Sequence, residues 1–156
     1  MKKVIVCAES TGVHLKNVIV NFLTQEGYDF TDATSRDDLS YIEAGSIVGE
    51  SISKGDYQFG IVMCGSGMGV NLVANRNPGV YCGLCESLHT AKMARTITNC
   101  NVLALGGNIV AYDLACRMVK VFLDTEFGET FPEVIADALQ KMYAEMEAVD
   151  QKTHNA

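Results

Sequence analysis

The stretch of this chain best equipped for chemistry is Cys64-Gly65-Ser66-Gly67-Met68-Gly69-Val70, which follows an apolar run and opens a helical pattern. Three glycines at alternate positions let a backbone approach a ligand closely and turn its N–H groups inward. The start of a helix adds positive potential and can favour a thiolate, so Cys64 is a candidate base or nucleophile. Ser66 can donate to a substrate oxygen, and the N–H groups of Gly65, Gly67 and Gly69 can hold a developing oxyanion. Together these are the parts needed to move a proton beside a carbonyl. The plainer alternative is a buried strand-end cysteine next to a tight turn. The spacing is GxGxG rather than the dinucleotide GxGxxG, it follows a third strand, and it lacks the lysine of a P-loop, so a nucleotide site is disfavoured.

Other strand ends bring further groups. Glu9-Ser10-Thr11-Gly12 follows the first apolar run, where a carboxylate can bind sugar hydroxyls, act as a base, or cap the next helix. Gly106-Gly107-Asn108 follows the fifth run, as a polar contact or a simple turn. His89 opens a helix after the fourth run, as an acid–base group or a surface residue. Cys82 and Cys85 form one CxxC, but there is no second pair and His89 is the only histidine nearby. Cys82 falls within a strand and Cys85 at its end, so buried thiols are expected there rather than a metal or redox site.

These residues need a scaffold, and the hydrophobic pattern supplies one. Strands are expected at Val4–Cys7, Tyr28–Thr31, Phe59–Met63, Gly79–Leu84 and Asn101–Leu105. Helices are expected at Leu15–Glu26, Ser40–Ser53, Met68–Ala74, Leu88–Thr98, Ala111–Leu123 and Glu133–Ala148, with Gly27 ending the first. Short strands alternating with helices imply right-handed crossovers and a buried five-stranded parallel sheet, a Rossmann-like three-layer αβα fold of the α/β class. Ligands in such sheets sit at the carboxyl ends of the strands, where the candidate residues cluster.

At 156 residues the chain suits one domain, with a body over 1–125 and a helical extension over 126–156. The segment from Asp124 carries eight acids and two lysines. Its stripe of Val134, Ile135, Leu139, Met142 and Tyr143 is suited to packing on a partner subunit. The net charge of −7, from 19 acids and 12 bases, argues against a nucleic-acid partner. No apolar run reaches the roughly 18 residues of a membrane span, and Val4–Ala8 is too short for the apolar core of a signal peptide. A cytoplasmic protein is expected.

Several motifs together resemble the ribose-5-phosphate isomerase B family, which includes the LacA and LacB subunits of galactose-6-phosphate isomerase. Cys64–Val70 is similar to its C-G-[ST]-G-x-G-x loop, and Ala74-Asn75-Arg76 to the A-N-K that follows. Asn101–Gly107 is similar to its N-V-L-x-x-G-[GS] strand, and Lys2-Lys3-Val4 with Gly12 and Lys16 to its start. The resemblance implies aldose–ketose isomerisation of a sugar or sugar phosphate through an enediol intermediate, with no cofactor and no metal. It maps the proton-transfer base to Cys64 and enediolate stabilisation to the loop glycines. Ser66 and Glu9 then orient hydroxyls, with Ser10, Asn75, His89, Asn99 and Asn108 as further polar contacts. It also implies a site built across a homodimer or tetramer, with the C-terminal helix crossing to its neighbour. The family's D-H-x-G reads Glu9-Ser10-Thr11-Gly12 here, and its R-x-H-N-[DN] reads Arg95-Thr96-Ile97-Thr98-Asn99, so the ring-opening histidine is Ile97. The arginine after the fifth strand is Asn108, and the C-terminal R-H-x-x-R is absent around Gly128–Pro132. Three explanations stay open: a sugar without phosphate at the family position, a heteromer whose paralogous subunit supplies the missing groups, or a non-catalytic sugar-binding homologue.

Overall fold

The computed structural model describes residues 2–155. Five strands form one parallel sheet: β1 (Lys3–Ala8), β2 (Asp29–Asp32), β3 (Phe59–Cys64), β4 (Cys82–Leu84) and β5 (Val102–Gly106), in the order β2-β1-β3-β5-β4. The helices are α1 (Val13–Glu26), α2 (Tyr41–Ser53), α3 (Met68–Ala74), α4 (Leu88–Thr96), α5 (Tyr112–Asp124) and α6 (Glu133–His154), and a 3-10 turn over Ser10–Gly12 joins β1 to α1. The expected Rossmann-like αβα layering is present.

Alternation along the strands divides the core between two faces. Val4, Val6, Ile61, Met63, Leu103 and Leu105 face α1 and α5, while Ile5, Cys7, Val62, Cys64 and Ala104 face α2 and α3. Each fully buried aliphatic side chain contributes roughly 1.5–3 kcal/mol, so two covered faces hold the sheet firmly. From β1 the chain runs outward to β2, then crosses back to β3 on the other side of β1. That reversal opens a crevice at the carboxyl ends of β1 and β3.

The boundaries differ from the hydrophobic pattern where backbone geometry intervenes. Gly79 adopts a left-handed φ of 73° and Val80 N–H bonds back to Asn77, so β4 starts at Cys82 rather than Gly79. Asn99 is left-handed at φ 49° and Cys100 N–H reaches back to Ala94, which stops α4 at Thr96. The last helix continues past Ala148 to His154, whose imidazole lies 3.0 Å from Asp150 O and 3.1 Å from Arg76 O. Tyr143 packs against Tyr81 and Phe127 with ring centroids 5.7 and 5.3 Å apart, while Val134, Ile135, Met142 and Val149 on α6 stay exposed. Among the described residues no helix is long and apolar enough to cross a membrane.

Candidate active site

Three connections are laced together at the crevice. Glu9 N–H donates to Met63 O at 2.8 Å, Gly107 N–H to Cys64 O at 2.8 Å, and Asn108 N–H to Gly65 O at 2.9 Å. A Cβ on Gly12 would lie 2.9 Å from the Met63 backbone, and one on Gly107 would lie 2.9 Å from Thr11 O. The ends of β1, β3 and β5 therefore close on one another only because side chains are missing there.

Cys64 ends β3 and is buried, 5% exposed. Its Sγ accepts the N–H of Gly67 at 3.1 Å, a geometry made by the left-handed φ of 78° at Gly67. Ser66 Oγ accepts the N–H of Met68 at 3.3 Å. Gly69, in the first turn of α3, has the Tyr41 ring against it, 2.7 Å from where a Cβ would stand. Glu9 Oε1 accepts from Ser10 Oγ at 2.7 Å and Oε2 from Thr11 Oγ1 at 2.6 Å. Partial burial works against its charge, but those hydroxyls and the N–H groups of Thr11 and Gly65 outweigh it and hold the carboxyl below its ordinary value. Glu9 is therefore ionised at neutral pH. Two of the three glycine N–H groups expected for an oxyanion are already engaged: Gly65 toward Glu9 and Gly67 toward Cys64.

The structure gathers Cys64, Gly65, Ser66, Gly67, Gly69, Glu9, Ser10 and Asn108 at this edge. Asn108 Nδ2 stands 3.1 Å from the Cβ position of Gly65. Asn75 lies beyond the far end of α3, where its amide donates to Cys82 O at 3.0 Å and accepts from Cys82 N–H at 2.8 Å. That pair of hydrogen bonds ties α3 to β4. Asn99 precedes β5 and accepts from Arg95 at 2.7 Å. His89 is exposed in the first turn of α4. Cys82 and Cys85 are free thiols, and burial pushes both up, Cys85 to about 11. Among the described residues no three His, Cys, Asp or Glu side chains group as a metal would need.

None of the four arginines serves the Cys64 loop. Arg95 is buried, stacked 4.8 Å from the Phe59 ring centroid and 5.7 Å from that of Phe122, and it donates to the carbonyls of Thr125 and Cys100. Arg36 pairs with Asp38 and Glu43. Arg76 follows Asn75 past the end of α3, and Arg117 lines a groove of about 440 Å³ with Lys92 and Lys120 on α4 and α5. Sequence reasoning passed over Thr11 and Tyr41. The run of one acid followed by two hydroxyl residues was a signal for Thr11; nothing local marked Tyr41.

A family model described as Ribose/Galactose Isomerase matches residues 4–139. A 4-deoxy-4-sulfo-D-erythrose isomerase from Clostridium sp. (strain MSTE9) is 35% identical, over 96% of this chain and 99% of its own. A D-erythrulose-4-phosphate isomerase from Pectobacterium atrosepticum is 32% identical, over 86% of this chain and 91% of its own. The structure of Clostridium thermocellum ribose-5-phosphate isomerase B is similar with a TM-score of 0.86 and 29% identity, covering 97% of this chain and 99% of that one.

Proposed function

The chain belongs to the Ribose/Galactose Isomerase family, a family of sugar and sugar-phosphate isomerases, and from that premise we propose that its substrate is an open-chain four-carbon sugar with an anionic group at C4. The observation that carries this reading is Ile97, an apolar, 39% exposed side chain where the family pattern places its ring-opening histidine. A tetrose whose C4 oxygen is esterified or replaced has no hydroxyl able to close a five- or six-membered hemiacetal. Such a sugar arrives with its carbonyl free, and no group is needed to open a ring. Two relatives named for sugars of this kind support the same reading.

In this mechanism Cys64 removes the proton from the carbon beside the carbonyl and returns it to the adjacent carbon. Asn108, Ser66 and the remaining loop N–H groups hold the enediolate oxygens. With the four arginines placed elsewhere, the cation for the C4 anion comes from a second subunit, identical or paralogous. The exposed apolar residues of α6 suit that contact. Six free thiols suit the reducing cytoplasm.

The test is isomerisation of D-erythrulose 4-phosphate, 4-deoxy-4-sulfo-D-erythrose, D-ribose 5-phosphate and D-galactose 6-phosphate by the purified protein. Turnover of a four-carbon sugar at least tenfold above the ring-forming sugars is expected. Preference for either ring-forming sugar overturns the substrate reading. Cys64→Ala should abolish exchange of the carbon-bound proton with solvent, and full exchange in that variant removes the mechanism.

A further inference from the structure

Isomerisation moves two protons: one between carbons and one between oxygens. Cys64 accounts for the carbon proton alone. The oxygen proton needs a group that can accept from one substrate oxygen and donate to the other.

Thr11 is built for that exchange. The tight 3-10 turn, closed by Gly12 N–H on Glu9 O at 2.8 Å, folds the Thr11 side chain back over the crevice. Its Oγ1 lies 2.7 Å from the Cβ position that Gly65 lacks, beside Asn108 Nδ2 at 3.1 Å, and Gly65 is the residue next to Cys64. The same hydroxyl donates to Glu9 Oε2 at 2.6 Å, a short charge-assisted bond. Thr11 thus stands between an ionised carboxylate and the open space over Gly65, one residue from Cys64.

We propose that Thr11, backed by Glu9, is the oxygen-to-oxygen proton relay of this isomerase; the inference rests on the isomerase reading above. In the aldose-to-ketose direction Cys64 thiolate takes the proton from C2, the C–H pair becomes the C1=C2 bond, and the carbonyl pair moves onto O1. The O2 proton passes to Thr11 Oγ as the Thr11 proton moves to Glu9 Oε2. Reversal of that transfer delivers a proton to O1. The O2 pair then forms the new carbonyl, and the C1=C2 pair takes the proton from the Cys64 thiol at C1. Thiolate, hydroxyl and carboxylate all return to their starting forms, with no net oxidation.

Thr11→Val keeps the shape and removes the relay. With D-erythrulose 4-phosphate in D2O, deuterium entering C1 of recovered ketose reports the carbon step, and aldose formed reports the whole reaction. Thr11→Val should slow aldose formation by about 100-fold while exchange continues, so that the ratio of exchange to isomerisation rises at least tenfold. Thr11→Ser should restore it. An unchanged ratio, with both rates at wild-type level or both reduced alike, overturns the relay, as does failure of serine to rescue. Cys64→Ser is the separate arm: retained exchange there removes the role of Cys64 and leaves the Thr11 result standing. No turnover of any of the four sugars by the wild-type protein overturns the isomerase reading and the relay together.

Discussion

Gly65 and Gly67 stand two residues apart in one loop, yet replacing each with alanine should fail in opposite ways. At Gly67 the φ of 78° costs a non-glycine residue roughly 1–2 kcal/mol. Its Cβ would also lie 2.9 Å from the Leu105 carbonyl carbon and 3.1 Å from Gly106 N, atoms of β5 that cannot rotate away. Overpacking of this kind costs roughly 1–3 kcal/mol, so Gly67→Ala should lose about 3 kcal/mol in all. For a chain of this length that lowers Tm by about 10 °C. At Gly65 φ is not left-handed, and the Cβ would meet only side-chain ends, Thr11 Oγ1 at 2.7 Å and Asn108 Nδ2 at 3.1 Å. These swing aside at the cost of the Thr11–Glu9 bond, about 1 kcal/mol. Gly65→Ala should therefore fold nearly as well as wild type and lose isomerase activity, because both displaced groups belong to the proposed catalytic site. Urea unfolding of the two variants, with turnover measured on the folded protein, separates them. Equal stability losses, or a Gly67→Ala protein within 1 kcal/mol of wild type, would refute the reasoning.

Two further outcomes follow from groups away from the reacting atoms. Arg95→Leu removes hydrogen bonds to the carbonyls of Thr125 and Cys100 and the cation lying against the Phe59 and Phe122 rings, and should cost roughly 3 kcal/mol while leaving KM of the folded fraction within twofold; a large rise in KM at unchanged stability would make Arg95 a substrate ligand. Burial works against the charge of Asp32, but its 2.7 Å pair with Lys16 and its bond from Thr34 hold the carboxyl below its ordinary value. A depressed carboxylate stabilises the fold above its unfolded pKa and loses that contribution as pH falls through the lower folded value. The wild type should accordingly lose up to about 1 kcal/mol relative to Asp32→Asn on going from pH 6 into acid below the ordinary value of 3.8, and parallel stability curves for the two proteins would contradict this.

The order of elements was legible in the sequence because both faces of the sheet are buried and the central strands read as unbroken apolar runs. Strand β2, at the edge and mostly exposed, gave a weaker pattern for the same reason. The glycine loop was legible as a close approach, though not the direction of each N–H: the sequence offers no way to see that Gly67 turns to the sulfur of Cys64. Asn75 and Asn99 were credible ligands because they are polar residues at motif positions. Their amides instead answer backbone and guanidinium groups whose positions depend on tertiary packing. Thr11 was only half legible: its acid–hydroxyl–hydroxyl run marked it, but its hydroxyl gains meaning only when Gly65, distant in sequence, is brought beneath it. Tyr41 joins the site across 28 residues of chain through a bare ring-on-glycine contact.

The lacing of the three strand ends also constrains how such an enzyme can diversify. Where Gly12 meets Met63, Gly107 meets Thr11, and Gly106 meets Ser66, backbone touches backbone, so none of these connections can lengthen or gain a side chain without moving the other two. In the proposed reaction the proton-handling end of the substrate would thereby meet one geometry. Variation is left to positions outside the lock, such as Ile97 just past the end of α4, which can change side chain without displacing a strand. New substrates can then be acquired by remodelling how the far end of the sugar is held, while the reacting carbons continue to meet an inherited and nearly immovable frame.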